Sequence, residues 1–246
     1  MQLLLAEAFR LHLLAGLEDE LRQSGFGRIA GVDEVGRGCL AGPVVAAAVI
    51  VDPRRLVPGV DDSKQLDAPC REAVAAEIRR TALAYAIGVV SATEIDQGNI
   101  LRASRSAMIT ALQSLRPAPD CAVIDAVPIP TLPFPCLPVV RGDAISYAVA
   151  AASVVAKVER DRMMSEYDRV YPQYGFALHK GYAVAEHRRA IAIYGPSPIH
   201  RLTFRTVVPR SVEPEADEAE PRTSRRKSRA DGRGAGAQRP LSEGIH

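Results

Sequence analysis

Eight consecutive apolar residues, VVAAAVIV at 44–51, stand between the turn residues Gly42-Pro43 and Pro53. A run that short, uncharged and rich in β-branched side chains reads as a strand buried in a core, for which the chain must supply partners and cover. Residues 28–32 before it and 83–90 after it have similar character, so three strands come in succession. Helical spacing then takes over. Residues 68–80 form a helix with Pro69 in its first turn, 91–96 begin a short helix, and 99–115 form a longer one stopped by Pro117 and Pro119. Two more short strands follow, at 121–124, which delivers Asp125, and at 138–140. Asp143 opens a long helical stretch. Its residues 147–155 are almost all small and apolar, which predicts burial on every side, whereas 159–169 are charged and end before Pro172. A last helix spans 183–193 and closes at Gly195-Pro196. Three strands, then helices alternating with two more, predict an α/β domain with a mixed sheet.

The ends of the chain differ from this middle. The N-terminal MQLLLAEAFRLHLLAGLEDE lacks the clean apolar run of a signal peptide, because Glu7 and Arg10 interrupt it, and it reads as an amphipathic helix packing Leu14, Leu17 and Leu21. No stretch approaches the roughly 20 apolar residues of a membrane span. Past about residue 210, acidic EPEADEAEPR is followed by basic TSRRKSRADGR with almost no large apolar side chains, so this tail is expected to stay disordered. Its Arg225, Arg226, Lys227 and Arg229 suit weak, salt-sensitive attraction to nucleic acid, which the acidic half opposes. The expected organisation is an N-terminal helix and turn over 1–27, one α/β domain over 28–209 and a charged tail over 210–246. The four cysteines are scattered without a C-x-x-C pair, which argues against a disulfide framework or a zinc site and fits a reducing cytoplasm. A net charge of +2 neither demands nor excludes a nucleic-acid partner.

Asp33, Glu34, Asp125 and Asp143 each stand where a strand ends or a helix begins, and strand ends form the usual crevice of α/β sheets. Phosphodiester hydrolysis needs hard cations held against the scissile phosphate, and magnesium or manganese takes oxygen ligands, so converging carboxylates are the residue type to seek. Taken singly, each acid has a structural explanation: a solvated turn for Asp33-Glu34, a loop cap for Asp125 and a helix N-cap for Asp143 beside Ser146. Gly36-Arg37-Gly38 directly after the acidic pair makes a tight bend that permits close backbone approach.

The segment GVDEVGRGCLAGPVVAAAVI resembles the first motif of the type 2 ribonuclease H family, in its bacterial ribonuclease HII branch. Further segments agree in order: DDSKQL at 61–66, SATEIDQGNI at 91–100, VIDA at 123–126, GDAISYAVAAASVVAKVERDRMM at 142–164, YGFALHKGY at 174–182 and GPSPIHRLTF at 195–204. The resemblance covers about residues 28–206. It implies an RNase H-like fold with a five-stranded mixed sheet flanked by helices, a helical C-terminal part, and a site of four carboxylates: Asp33, Glu34, Asp125 and Asp143. It further implies Mn2+ or Mg2+ as cofactor, and cleavage of RNA–DNA hybrids and of duplex DNA beside embedded ribonucleotides. The resemblance places the expected cut 5′ of the ribonucleotide, leaving 3′-hydroxyl and 5′-phosphate ends. By the same resemblance Gly36, Arg37 and Gly38 read the 2′-hydroxyl, Tyr182 packs against the sugar at the ribo-to-deoxyribo junction, and Ser63 and Lys64 contact phosphates.

Lys157 and Arg160, on the long helix, are expected either to face phosphates or to pair with Glu159 and Asp161. His179, Lys180 and His200 carry no catalytic assignment. A cytoplasmic monomer without a membrane partner is expected. Cys39 stands where the family commonly has proline, Ala126 where glycine is frequent, and Tyr147 where a small residue is usual. The competing readings are another nuclease of the same fold, of resolvase or transposase type, and a hybrid-binding protein without catalysis.

Overall fold

The structure is a computed structural model that describes residues 2–60, 67–129 and 132–207, with side chains from Leu4 onward. Along the chain, α1 (Gln2–Leu14) and α2 (Gly16–Gln23) precede β1 (Ile29–Val35), β2 (Val44–Ile50), α3 (Ala68–Thr81) and β3 (Ala84–Val90). Then come α4 (Ala92–Asp96), α5 (Ile100–Ser114), β4 (Cys121–Asp125), β5 (Cys136–Val139), α6 (Tyr147–Val170), α7 (Phe176–His179) and α8 (Ala185–Tyr194). Four of the helix starts carry side-chain caps. Asp67 accepts from the Cys70 N–H ahead of α3, Ser91 and Glu94 form a reciprocal box on α4, and Asn99 and Ser146 cap α5 and α6.

The sheet has the order β3-β2-β1-β4-β5. β1 pairs antiparallel with β2 and β2 with β3, whereas β4 runs parallel to both β1 and β5. The expected five-stranded mixed sheet is therefore present. β2 is buried along its whole length. Its Val44, Ala46, Ala48 and Ile50 belong to a core with Ala107, Met108 and Ala111 of α5, while Ala47 and Val49 pack with Ala151, Val154 and Val155 of α6. That alternation is the strand period of two, with a helix covering each face. The small residues of α6 let it lie directly on the sheet: a Cβ at Gly31 of β1 would stand 2.0 Å from the Ala148 backbone.

Three expectations are corrected. The N-terminal segment is two helices that break at Ala15. Leu14, Leu17 and Leu21 pack inward, but the residue α2 buries completely is Glu18. Its Oε1 accepts from the Ser146 hydroxyl and from the Ala148 N–H, placing a negative charge on the positive end of α6. β1 continues to Val35, so Asp33 and Glu34 are strand residues and not a solvated turn. Asp143 lies in a 3-10 turn over Gly142–Ala144, and Ser146 performs the capping. The helical C-terminal part packs Tyr174, Phe176 and Ile191 against Leu40, Ala41 and Met164, next to the loop between β1 and β2.

Candidate active site

Strand register brings two of the acids together. Val32 pairs with Ile124 in the parallel β1–β4 ladder, so the next residues, Asp33 and Asp125, lie side by side at the carboxyl ends of neighbouring strands. Asp33 is buried, and its carboxylate accepts from the Glu34 N–H at 2.7 Å and from Ser153 of α6. Burial first, then the Glu34 charge and more weakly that of Asp125, pushes its pKa up to about 8, against the opposing hydrogen bond from Ser153. Glu34 is also raised by burial, opposed by Arg37, whose guanidinium meets Oε1 at 3.1 Å. The other oxygen, Oε2, is buried and has no hydrogen-bond partner among the described residues. Asp125 accepts from the Gly142 N–H at 2.7 Å, which ties the turn carrying Asp143 to the end of β4.

The cluster thus gathers carboxyl groups whose burial and mutual repulsion drive one of them to hold its proton, and it includes a buried oxygen with no partner among the described residues. All its donors are hard oxygens, so it fits a divalent cation such as Mg2+ or Mn2+. Among the described residues, no three His, Cys, Asp or Glu side chains are gathered tightly enough to hold an ion by themselves. A substrate phosphate oxygen is the complementary ligand for such an open set.

The glycine bend follows directly. Gly36 has φ +96°, and a Cβ there would lie 2.2 Å from Arg160 Nε, so both backbone and packing require glycine. Gly38 is exposed, and a Cβ on it would meet no atom within 4 Å. Packing among the described residues does not ask for glycine at 38, whereas close approach by another molecule would. Gly38→Ala is therefore expected to leave stability within about 0.5 kcal/mol of the parent. It should lower kcat/KM by about tenfold or more for a substrate that approaches this backbone, because displacements of an ångström at a reacting centre are costly. Thermal unfolding alongside steady-state kinetics checks both halves.

Arg160 does neither thing expected of it. It is fully buried, and its guanidinium donates to the carbonyls of Pro43 (3.0 Å), Ala41 (3.1 Å) and Lys180 (2.9 Å). Lys157 does pair with Asp161, at 2.7 Å. Sequence reading missed Arg201 altogether. It too is fully buried, and it donates to the carbonyls of Gly36, Arg37 and Gly42. Buried guanidiniums normally need a carboxylate, but here backbone carbonyls satisfy them. Together they join three distant stretches, at 36–43, 180 and 201, into one unit.

Tyr182 belongs to that unit. The Gly181 carbonyl accepts from the Leu40 N–H at 2.8 Å, and Tyr182 is 40% exposed, with the Lys157 and Arg160 cations 5.8 and 5.9 Å from its ring centroid. Burial of its hydroxyl end, next to the Cys39 thiol, raises the phenol pKa. Behind it runs a chain of buried histidines. The Ser197 N–H donates to His200 Nδ1 at 2.9 Å, His200 Nε2 then donates to His187 Nε2 at 3.0 Å, and His187 Nδ1 donates to the Tyr182 carbonyl at 2.9 Å. That sequence of donors requires both rings to be neutral, and burial holds the His200 pKa down to about 4. His179 and Lys180 likewise make internal contacts, to Tyr174 O and Ser165 Oγ. These histidines support the loop. Ser63 and Lys64 lie outside the described residues.

The sequence matches the family model described as Ribonuclease HII over residues 30–207. The chain belongs to the ribonuclease HII family. It is 51% identical over 197 residues to Ribonuclease HII of Chloroflexus aurantiacus, an alignment spanning 78% of this chain and 93% of that protein. With Ribonuclease HII of Geobacillus kaustophilus the identity is 53% over 190 residues, 77% of this chain and 73% of that one. Among solved structures, ribonuclease H2 from Pyrococcus horikoshii superposes with a TM-score of 0.64 at 27% identity, covering 74% of this chain and 95% of that one. Membership of the ribonuclease HII family makes the chain a ribonuclease H, an endonuclease that hydrolyses phosphodiester bonds.

The structure also places Ala126 and Cys39, two of the residues expected to depart from the family pattern. Ala126 has φ +50°, the left-handed region that glycine occupies without strain, directly after Asp125. Cys39 is fully buried beneath the glycine bend, at the Tyr182 hydroxyl. Of the contacts that sequence reading passed over, Ser153 left a trace: beyond Tyr147 at the helix start, it is the one polar residue in the apolar stretch 147–156.

Proposed function

We propose that this ribonuclease HII family member cleaves the RNA strand of RNA–DNA hybrids and nicks duplex DNA on the 5′ side of embedded ribonucleotides. The observation that carries this reading is the adjacency of Asp33 and Asp125 at the ends of β1 and β4, one short bend away from an exposed glycine that packing does not explain. Asp33, Glu34, Asp125 and Asp143 are the residues proposed to hold Mg2+ or Mn2+. When bound, such cations orient an attacking water and stabilise the entering and leaving oxygens.

The chain's own residues supply the rest. Asp33 and Asp125 offer oxygens on the α6 face of the sheet, and Arg37 holds one oxygen of Glu34 so that the other stays free for the site. The exposed Arg37 and Gly38 backbone is the element proposed to meet the 2′-hydroxyl, the group that marks RNA against DNA. The exposed part of Tyr182 is proposed to pack on the adjacent deoxyribose, and Ser63 and Lys64 to contact phosphates. Attack on the phosphorus 5′ of the ribonucleotide expels the 3′-oxygen of the preceding nucleotide and leaves 3′-hydroxyl and 5′-phosphate ends.

The test is cleavage of a duplex carrying one ribonucleotide against the same duplex in DNA, with each metal in turn and the product ends mapped. Cutting confined to the ribonucleotide site supports the reading. Equal cutting of both duplexes favours a resolvase- or transposase-like activity, and binding without turnover favours a non-catalytic hybrid binder.

A further inference from the structure

Arg201 grips two consecutive peptide units of the glycine bend. Its Nη2 donates to the Gly36 carbonyl at 2.7 Å and its Nη1 to the Arg37 carbonyl at 2.9 Å, while Nε and Nη2 share the Gly42 carbonyl at 3.1 and 2.9 Å. In a trans peptide, the C=O and the N–H of one unit point in opposite directions. The Gly36 carbonyl shares its unit with the Arg37 N–H, and the Arg37 carbonyl shares its unit with the Gly38 N–H. Pulling both carbonyls inward onto a buried guanidinium therefore turns both N–H groups outward. Arg37 and Gly38 are exposed, and neither N–H donates to an acceptor among the described residues. Arg160 packs against Gly36 and anchors the following residues through the Ala41 and Pro43 carbonyls. Within the bend, however, the closing bond, from the Cys39 N–H to the Gly36 carbonyl, is long at 3.4 Å, so the Arg37 and Gly38 peptide units rest chiefly on Arg201. A glycine on each side of Arg37 adds backbone freedom.

We infer that Arg201 is a positioning residue for substrate selection, which fixes the Arg37 and Gly38 N–H groups as a paired donor for the 2′-hydroxyl. This rests on the role of the glycine bend proposed above. Arg201 touches no substrate. It removes in advance the entropy that two free peptide units would otherwise lose on binding, so its effect appears only with ligands that use those donors. Lysine cannot replace it, because one ammonium lacks the planar fork that reaches both carbonyls together.

The test uses the full chain carrying Asp33→Asn to prevent cutting, with and without Arg201→Lys. Binding is measured to a duplex with one ribonucleotide and to the all-DNA duplex of the same sequence. The expected result is that Arg201→Lys lowers the ratio of the two affinities by about tenfold or more while all-DNA binding stays within about twofold. An unchanged ratio, or an equal loss on both duplexes, overturns the role of Arg201. If the Asp33→Asn parent itself shows no preference, the role of the glycine bend fails first, and the two failures are thereby told apart. Should Arg201→Lys not fold, backbone 15N relaxation and amide exchange on the unsubstituted protein decide. Donors fixed from behind exchange rapidly with solvent yet have order parameters near the rigid value of about 0.85, and values below about 0.6 overturn the inference.

Discussion

Asp33→Asn is expected to reduce cleavage by about a thousandfold or more and, at the same time, to stabilise the metal-free protein at neutral pH. The first effect follows from removing one of the two adjacent acids at the β1–β4 strand ends. A thousandfold corresponds to about 4 kcal/mol of transition-state stabilisation, within the range that metal-assisted charge stabilisation supplies. The second effect follows from the raised carboxyl. Its pKa moves from the ordinary 3.8 to about 8, chiefly through burial, so the folded protein holds that proton more tightly than the unfolded chain does. This contribution to stability is fully present below pH 4 and is lost progressively as pH rises towards 8. In wild type without metal, stability therefore falls over that window because of Asp33. Asparagine carries no charge to bury, and its variant should show a flatter profile, gaining at least about 1 kcal/mol at pH 8, or roughly 2–4 °C in Tm. Thermal unfolding in chelator at pH 5 and pH 8, together with turnover in Mn2+, reads both effects. Asp125→Asn should abolish cleavage as well, and near-normal turnover in both purified variants would sink the assignment. A variant less stable than wild type at pH 8 would show that Asp33 holds the strand ends together and does not repel its neighbours.

The sequence exposed the scaffold of this site more readily than its supports. β2 announced itself by eight uncharged residues between turn signals, and α6 by a run of small side chains that only a completely covered helix can carry. The four acids stood out because the sequence places each near the end of an expected element, and a fixed order of motifs tied them together. Their local settings were less legible. Asp33-Glu34 read as a turn in isolation, because nothing in two adjacent acids reveals that β1 runs on to Val35. The supports were misread for a physical reason. Arginine is usually solvated, so Arg160, placed among Glu159 and Asp161, reads as surface charge. It is buried because carbonyls of a distant bend take up its donors, and such long-range backbone partners leave no local pattern. Arg201, Glu18 and the His187–His200 pair share this property. Each is a polar group buried against a partner more than ten residues away.

Gly36→Ala and Arg160→Ala strike the same joint, and they are expected to be strongly coupled. In wild type, a Cβ on Gly36 meets Arg160 Nε at 2.2 Å and its Cδ at 2.8 Å, with the Pro43 carbonyl at 2.9 Å, on a backbone at φ +96°. The left-handed backbone alone costs an L-residue roughly 1–2 kcal/mol. Expelling the guanidinium strips donors from the Ala41, Pro43 and Lys180 carbonyls, each charge-assisted bond being worth about 1.5–3 kcal/mol. The single variant should lose at least about 3 kcal/mol. Arg160→Ala should lose a similar amount by leaving those carbonyls unpaired and a void behind the bend. In the double variant the clash has no partner, and what remains of Gly36→Ala is backbone strain and the Pro43 contact. The combined loss should therefore fall short of the sum by about 1–2 kcal/mol, measured by denaturant unfolding of the four proteins. Strict additivity would mean that Gly36 serves its turn alone. Coupling of this size would mean that the glycine is needed because a buried arginine lies against it, so that the bend beside the carboxylates takes its shape from α6 beneath it.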